Sequence, residues 1–273
     1  MIVKQALSIL FLLCVLAVSC TKRPSQTSLP EGKEDLEVDV DLNELQIDFM
    51  KWWTYHTHHI HLSSNFRGLD ENADTLEKKL FLEQLISSHY LPIQVKSGDS
   101  VDTYQLVKMG AADGNIQKTI KNESLTQLKH LNMEGTPVPS FEFPDLHGKV
   151  YNTENTKGKT LILKTWFTSC KACIAEFPEL NEFVGKYLHR KDIIFVSVAT
   201  NTAAELESFL AKRRFEYEVI PNQGDFIGQE LDLQIYPTHI VIDKDGIVLK
   251  VVNKASEMMA FVDNMMEDES SEK

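Results

Sequence analysis

The chain has 273 residues and a formal net charge of −12, from 40 acidic and 28 basic side chains. This acidic balance excludes binding to nucleic acid through neutralisation of phosphates, which needs clustered lysine and arginine. The length allows two ordinary domains, each with its own hydrophobic core.

The first 19 residues are typical of a signal peptide. Lys4 precedes an apolar run over residues 9–18, which is too short for a membrane span. We therefore predict that residues 1–19 are removed and that the mature chain is exported.

The run that ends at Cys20, Leu-Ala-Val-Ser-Cys, resembles a bacterial lipobox, in which cleavage before the cysteine is followed by its acylation. Ala17 stands where leucine is commonest in that motif. Ordinary cleavage at the small residues before Cys20, which would release a soluble protein, is the alternative. We predict Cys20 as the lipidation site. Residues 20–40, rich in Ser, Thr, Pro and acid, are predicted to be a flexible tether from the membrane.

Residues 41–135 are predicted to form a small α+β domain of unknown role. Helices are expected where apolar residues recur at helical spacing, and a hairpin where they alternate. The predicted elements are a first helix that starts near Leu42 and reaches the histidines beyond Trp53, a second helix Ala73–His89, a hairpin of Leu91–Val95 and Thr103–Lys108 around residues 97–100, and a third helix from the cap Asp113 to Gly135. We expect Trp52 and Trp53 to pack in the core of this domain rather than to form a recognition surface.

Four histidines lie close together in the first predicted helix: His56, His58, His59 and His61. Pairs three residues apart could share a metal-binding face. No acidic or cysteine ligand sits at a fixed spacing nearby, which favours the alternative of a polar helix face. We therefore predict no metal site.

The pattern becomes β-α-β after Thr136–Pro139, a stiff proline-containing linker. The predicted elements are a hairpin around His147-Gly148, a strand Thr160–Phe167, a helix Cys173–His189, a parallel strand Asp192–Ala199, a helix Ala203–Arg214, a strand Tyr217–Ile220, a hairpin of Thr238–Asp243 and Ile247–Val252, and a helix from about Ser256. We predict an α/β domain over residues 136–268 and an acidic tail over residues 269–273.

Cys170-Lys-Ala-Cys173 directly follows the apolar strand and opens a helix, which is a setting for thiol–disulfide exchange. Cys14 leaves with the signal peptide and Cys20 would carry lipid, so the mature chain has one thiol pair. Structural zinc is the alternative, but it needs about four ligands, and no second cysteine pair exists.

The second half resembles the thioredoxin fold and, within it, the TlpA-like (redoxin) family of membrane-anchored bacterial thiol–disulfide oxidoreductases. The resemblance covers roughly residues 137–266. Its motifs are residues 141–149, the run 163–173 with both cysteines, Glu176-Phe-Pro-Glu-Leu180, Tyr236-Pro-Thr and residues 242–246. It implies a thioredoxin-like α/β fold, a central mixed sheet flanked by helices, preceded here by the small α+β domain.

The resemblance assigns roles to the two cysteines. Cys170, just before the helix, would be the attacking thiol, because free N–H groups and the helix dipole stabilise a thiolate there. Cys173, one turn into the helix, would resolve the mixed disulfide. Pro178 matches a proline that kinks this helix in the family, whereas a plain helix end is the alternative.

Glu176 matches a buried acid that moves protons for the inner thiol in the family, and burial would bring its pKa towards the operating pH. An exposed helical glutamate is the alternative. Lys164 is a departure, since thioredoxin carries its buried acid at that strand position. Lys164 could pair with Glu176 and keep it ionised, or its amine could escape to solvent along a buried stem. Glu176 and Lys164 are both predicted as catalytic residues.

Client contacts are also implied by the resemblance. Pro237 matches the family's cis-proline that faces the two sulfurs, and the backbone of Tyr236 would pair with the client peptide. Trp166, a core strand residue, completes the candidate substrate-binding set. Ser169 is a further departure, because the residue before the first cysteine is often Trp in this family. His239 could complete a copper site with the cysteines, but copper-delivery relatives space their cysteines more widely.

We predict a thiol–disulfide oxidoreductase of the bacterial cell envelope, lipid-anchored and facing the periplasm, that acts on disulfide-bearing envelope proteins, more as a reductase. An upstream thiol reductant or oxidant would be its second partner, and no cofactor is predicted. A thiol peroxidase is one alternative, although Phe167 stands where those enzymes place Thr or Ser. A tethered binding module without catalysis is the other.

Overall fold

The computed structural model describes residues 40–96 and 101–271. The predicted signal peptide, the lipidation site Cys20, nearly all of the tether and the hairpin turn at residues 97–100 lie outside the described residues. Within the described part of the chain, no helix combines the length and apolar character that crossing a membrane requires.

The helices are Leu42–Ile47 (α1), Phe49–His59 (α2), Lys78–Ile86 (α3), Gly114–Met133 (α4), Lys171–Ala175 (α5), Phe177–Tyr187 (α6), Ala203–Leu210 (α7) and Ala255–Ser271 (α8). The strands are Arg67–Leu69 (β1), Thr75–Leu76 (β2), Tyr90–Val95 (β3), Thr103–Lys108 (β4), Glu142–Pro144 (β5), Val150–Asn152 (β6), Thr160–Trp166 (β7), Ile193–Ala199 (β8), Glu218–Ile220 (β9), Thr238–Ile242 (β10) and Val248–Val252 (β11). A short π-helical turn covers Phe226–Glu230.

Residues 40–135, here called the N-terminal unit, fold around a four-stranded sheet in the order β2-β1-β4-β3. The predicted hairpin is confirmed, since β3 and β4 pair antiparallel from Tyr90 to Val95. The first predicted helix is instead two helices, because the Asp48 side chain caps a new helix by accepting from the N–H groups of Met50 and Lys51.

Two further predictions for this unit are wrong. The second helix begins at Lys78 rather than Ala73, because Thr75 and Leu76 pair with β1 as a short strand. Trp52 is fully buried as expected, but Trp53 is 40% exposed. A helix buries one stripe of its surface, and Trp53, the residue after the buried Trp52, lies beside that stripe rather than on it.

The predicted linker is bound to the sheet that follows it. Gly135, with φ +82°, ends α4 and donates its N–H to the Val248 carbonyl at 2.8 Å. Val138 donates to the Gly246 carbonyl at 2.9 Å, and Glu134 forms an ion pair with Lys250 at 3.3 Å. The N-terminal unit therefore packs against the edge strand of the following sheet.

Residues 136–271, here called the C-terminal unit, contain a five-stranded mixed sheet in the order β11-β10-β7-β8-β9. The strands β7, β8 and β9 run parallel, and β10 and β11 run antiparallel to their neighbours. Buried clusters cover both faces, since Leu161 and Leu163 face one cluster and Ile162 the other. This is the predicted thioredoxin-like fold.

The predicted hairpin at residues 147–148 is present as β5 and β6, and the remaining differences lie at helix ends. The predicted helix Ala203–Arg214 ends at Leu210. The last helix continues to Ser271, so residues 269–271 extend it instead of forming the separate acidic tail that was predicted. Glu269 of this extension forms an ion pair with Arg190 at 3.3 Å.

The division into two domains remains a prediction, and substitutions at two neighbouring residues of α3 can test it. Phe81 is fully buried in the N-terminal unit, whereas Leu80 is 48% exposed. We expect Phe81→Ala to lower the free energy of unfolding of this unit by about 3–5 kcal/mol and Leu80→Ala by about 0.5 kcal/mol or less. Urea denaturation followed by circular dichroism measures both. A Phe81→Ala variant that melts the C-terminal unit to the same extent would argue against separate domains.

Candidate active site

Cys170 and Cys173 form a disulfide at the start of α5, with Cα atoms 5.3 Å apart. Cys170 is the N-cap residue, and its sulfur accepts from the Cys173 N–H at 3.1 Å. The site arises because β7 ends at Trp166, and a short turn carries the chain into the helix. The first N–H groups of a helix have no partner within it, so they face the Cys170 sulfur.

The two sulfurs differ in access. Cys170 retains 7% of its surface exposed, while Cys173 has none. Lys171 and Ser169, on either side of Cys170, are both exposed. An approaching disulfide can therefore reach only Cys170 without a rearrangement of α5.

Trp166 supports the disulfide from inside the fold. It is fully buried and shares a cluster with both cysteines. Its indole packs edge-on against Phe177 at 5.2 Å and against Phe215 at 5.6 Å. The prediction that Trp166 contacts a client is corrected by this burial, because β-strand alternation turns its side chain towards the core.

The helix that follows the cysteines breaks at Glu176. This residue is both the last cap of α5 and the first cap of α6, with φ −80° and ψ −12°. Pro178 lies in the first turn of α6, where its missing N–H leaves the Ile174 carbonyl without an i→i+4 donor. The predicted interruption of this helix is present, and it turns the Glu176 side chain inward.

Glu176 is the centre of a buried polar network. One carboxylate oxygen forms a short ion pair with Lys164 and lies 3.1 Å from Nε2 of His239. The other oxygen accepts from the Ala255 N–H at 2.9 Å, at the start of α8. Lys164 and His239 have no exposed surface, and the Glu176 side chain is 14% exposed. Of the two alternatives for Lys164, the structure shows the pair with Glu176.

The charges of this network follow from its burial. Burial raises the pKa of Glu176, but the His239 hydrogen bond and the charges of His239 and Lys164 outweigh it and hold that pKa below its usual value. The expectation that burial brings Glu176 towards neutral pH is therefore wrong. Burial lowers the pKa of His239, and the Nδ1 atom of its ring has no hydrogen-bond partner among the described residues.

Sequence reasoning did not place His239 beside Glu176. Strand register does so, because His239 pairs with Lys164 across β10 and β7, and paired residues share a face of the sheet. The face of Lys164 could have been read from alternation, since Ile162 and Trp166 lie on the same side. The register of β10 could not.

The loop before β10 forms the second wall of the site. The Tyr236–Pro237 peptide bond is cis, as the resemblance implied, and Pro237 is buried. Tyr236 is half-buried, and its ring packs edge-on against Phe167 at 5.2 Å. The Asn253 side chain donates to the Pro237 carbonyl at 2.9 Å, so the end of β11 fixes the loop. Sequence reasoning missed Asn253.

The histidines of the N-terminal unit do not converge. His56 is buried against Glu123 at 2.6 Å, His58 reaches the Thr54 carbonyl and His59 faces Gln94. In the described residues no three His, Cys, Asp or Glu side chains are grouped as metal ligands.

The Redoxin family profile matches residues 133–265. The thiol-disulfide oxidoreductase ResA of a Bacillus cereus strain is 33% identical to this chain over 120 residues, which span 44% of this chain and 68% of that protein. The chain belongs to the redoxin family.

Two further similarities each cover about half of this chain or slightly less. The ResA of Bacillus subtilis (strain 168) is 29% identical over 123 residues, which span 44% of this chain and 66% of that protein. The crystal structure of a putative thiol:disulfide interchange protein DsbE from Chlorobium tepidum has a TM-score of 0.44 at 24% identity, covering 49% of this chain and 96% of that one. The family match and the two ResA relatives show that this redoxin is a thiol–disulfide oxidoreductase.

The buried network of this redoxin predicts a pH-dependent loss of stability. Glu176→Gln leaves Lys164 buried without a counter-charge, so we expect the free energy of unfolding to fall by about 3–5 kcal/mol at neutral pH. Because the folded pKa of Glu176 lies below its ordinary value of 4.5, its stabilisation is present above pH 4.5 and is lost as the pH falls through the folded pKa. The deficit of the variant should therefore shrink in acid.

Urea denaturation at several pH values measures this deficit. The matched control is Glu179→Gln, an exposed glutamate one turn further along, for which we expect a change of about 0.5 kcal/mol or less. A Glu176→Gln deficit that stays constant from neutral to acidic pH would contradict the ion pair.

A second prediction concerns the lysine. Lys164→Met removes the cation and keeps a side chain of similar length, so the pKa of the Glu176 carboxyl should rise. Carbon-13 NMR titration of the Glu176 side chain measures it. An unchanged pKa would mean that His239 and the Ala255 N–H alone hold the carboxylate.

Proposed function

We propose that this redoxin reduces disulfides of envelope proteins on the periplasmic side of a membrane to which lipid on Cys20 anchors it. The observation that carries the chemistry is the asymmetry of the pair, because Cys170 retains 7% of its surface exposed at a helix N-terminus and Cys173 is fully buried. The anchor and the compartment rest on the signal-peptide and lipobox patterns of the first 20 residues.

The proposed reaction begins from the dithiol form. The Cys170 thiolate attacks one sulfur of the client disulfide, forms a mixed disulfide and releases one client thiolate, which takes a proton. Cys173, after losing its proton, attacks the Cys170 sulfur and releases the second client thiol. The client gains two electrons and two protons, and the Cys170–Cys173 disulfide forms. An upstream thiol reductant then restores the dithiol.

The charge of the network supports the direction that we propose. A dithiol becomes strongly oxidising when its thiolate is specially stabilised. Lys164 is the buried cation of this network, and Glu176 already neutralises it. The buried lysine therefore adds little stabilisation to a thiolate on Cys170, which depends mainly on the helix N-terminus.

Glu176 has a different role from the one that the family resemblance suggested. Its lowered pKa makes it a weak base, so we propose that it fixes Lys164 and His239 rather than shuttling the proton of Cys173.

We expect the reduction potential of the pair to lie at about −220 to −270 mV, closer to thioredoxin than to the strong oxidant DsbA at about −120 mV. Equilibration with glutathione or dithiothreitol buffers, followed by alkylation and mass spectrometry, gives this value. A potential near that of DsbA would overturn the reductase direction while leaving the oxidoreductase activity intact.

The activity itself is tested by insulin reduction with dithiothreitol as the supply of electrons. We expect Cys170→Ser to fall to the uncatalysed rate, because no other accessible thiol of the pair remains. Cys173→Ser should accumulate mixed disulfides with envelope proteins. Equal rates for wild type and Cys170→Ser would defeat the proposal and favour a binding module.

A further inference from the structure

A groove of about 520 Å³ runs between the two units of the chain. Its first wall comes from α2 and α4, including Trp53 and Glu123, and its second wall includes Ile235 and Asn253. The redoxin match begins at residue 133, so the first wall lies outside the region shared with the family. The groove is therefore a feature that the N-terminal unit adds to the redoxin.

Both walls expose a large apolar side chain to this groove. Trp53 is 40% exposed and Ile235 is 48% exposed, while Ile60 and Leu62 line the groove from buried positions. Trp53 stacks on Phe49 with ring centroids 6.2 Å apart, which holds its indole in place. Exposed apolar groups that face each other across a groove mark a binding surface, and tryptophan is the residue most enriched at binding hot spots.

The groove adjoins the loop that carries Tyr236, whose ring packs against the buried cluster containing both cysteines. Ile235 directly precedes the Tyr236–Pro237 bond, so one residue lines the groove and the next lies in the reactive loop. Asn253 lines the groove and donates to the Pro237 carbonyl at 2.9 Å and to the Thr238 hydroxyl at 3.0 Å. A chain bound at the loop can therefore extend directly into the groove.

The charged groups of the groove carry a surplus of acid. Glu123 and Glu257 contribute carboxylates, and Lys254 contributes the ammonium group. Lys254 lies 3.8 Å from Glu257, which leaves Glu123, beside His56, without a lysine or arginine among the lining residues. Such a lining favours a ligand that combines apolar side chains with lysine or arginine.

We infer that this groove binds an extended segment of the client polypeptide next to its reactive cysteine, and that it selects segments with apolar and basic side chains. Trp53 and Ile235 would contact the apolar side chains, and Glu123 the basic one. The inference rests on the proposed function for the identity of its ligand. It makes the N-terminal unit the source of client specificity, while Cys170 supplies the chemistry.

The test compares two disulfides of different size. The first is a short synthetic peptide with one cysteine, joined to thionitrobenzoate as a mixed disulfide and carrying Leu and Lys beside the cysteine. The second is the small symmetric disulfide dithiobis(2-nitrobenzoate). With the reduced protein, the Cys170 thiolate attacks the peptide disulfide, thionitrobenzoate leaves, and Cys173 then displaces the peptide thiol as the protein disulfide closes.

We expect Trp53→Ala and Ile235→Ser each to lower the ratio of the rate constants, peptide over small reagent, about five-fold or more, since loss of a central apolar contact typically costs over 1 kcal/mol. Leu188→Ser is the matched control, because Leu188 is 81% exposed and does not line the groove. It should leave the ratio unchanged. A peptide with Glu in place of Lys should react more slowly with wild type, and Glu123→Gln should reduce that preference.

Binding is also measured without chemistry, by fluorescence anisotropy of the labelled peptide with serine in place of its cysteine. Weaker binding to both wall variants supports the groove even if the redox assays fail, so failure of the proposed function is distinguishable. Ratios and affinities equal to wild type in both wall variants would overturn the inference. Self-association that depends on Trp53, with unchanged peptide binding, would assign the groove to a second copy and would also overturn it.

Discussion

The site depends on one constraint, a fully buried lysine in β7, the strand that leads to the disulfide. An unpaired ammonium in the interior would cost several kcal/mol, so Lys164 needs a carboxylate within contact distance. Glu176 supplies it from the break between α5 and α6, and the same carboxylate binds His239 and the first N–H of α8. Two strands and three helices are thereby fixed relative to each other at the point where the cysteines lie.

The buried charge of Lys164 is neutralised within the network and does not act on the reactive thiol. The ion pair neutralises the buried lysine of the network, so the Cys170 thiolate relies on the helix N-terminus for its stabilisation. We propose that a redox pair of this kind has the potential of a reductant, whereas an uncompensated lysine would favour the thiolate and make the pair a stronger oxidant. Lys164 therefore adds no net charge to the site, because the Glu176 carboxylate neutralises its ammonium group.

The N-terminal unit packs against the C-terminal unit and contains no cysteine. It is joined to the C-terminal unit through the end of α4, where Glu134 pairs with Lys250, and through the bond of Ser63 to Glu257 at 2.7 Å. These contacts place Trp53 across from Ile235, beside the loop that carries Tyr236. This unit lies almost entirely outside the redoxin match, and we propose that it alters which clients reach the disulfide.

The sequence by itself determined the local features. These are the redox spacing of Cys170 and Cys173, the helix break near Pro178, and the parallel strands β7 and β8 before and after that helix. Secondary-structure propensity, proline geometry and alternation of apolar residues act over a few residues, so they can be read from the sequence. Lys164 and Glu176 were candidates from sequence, but two states of the pair were equally compatible with it. Only the tertiary structure decided between them, and only the register of β10 against β7 brought His239 to the same carboxylate. The exposure of Trp53 was likewise decided by the tertiary structure, since helical spacing gives the face of a side chain but not what covers it.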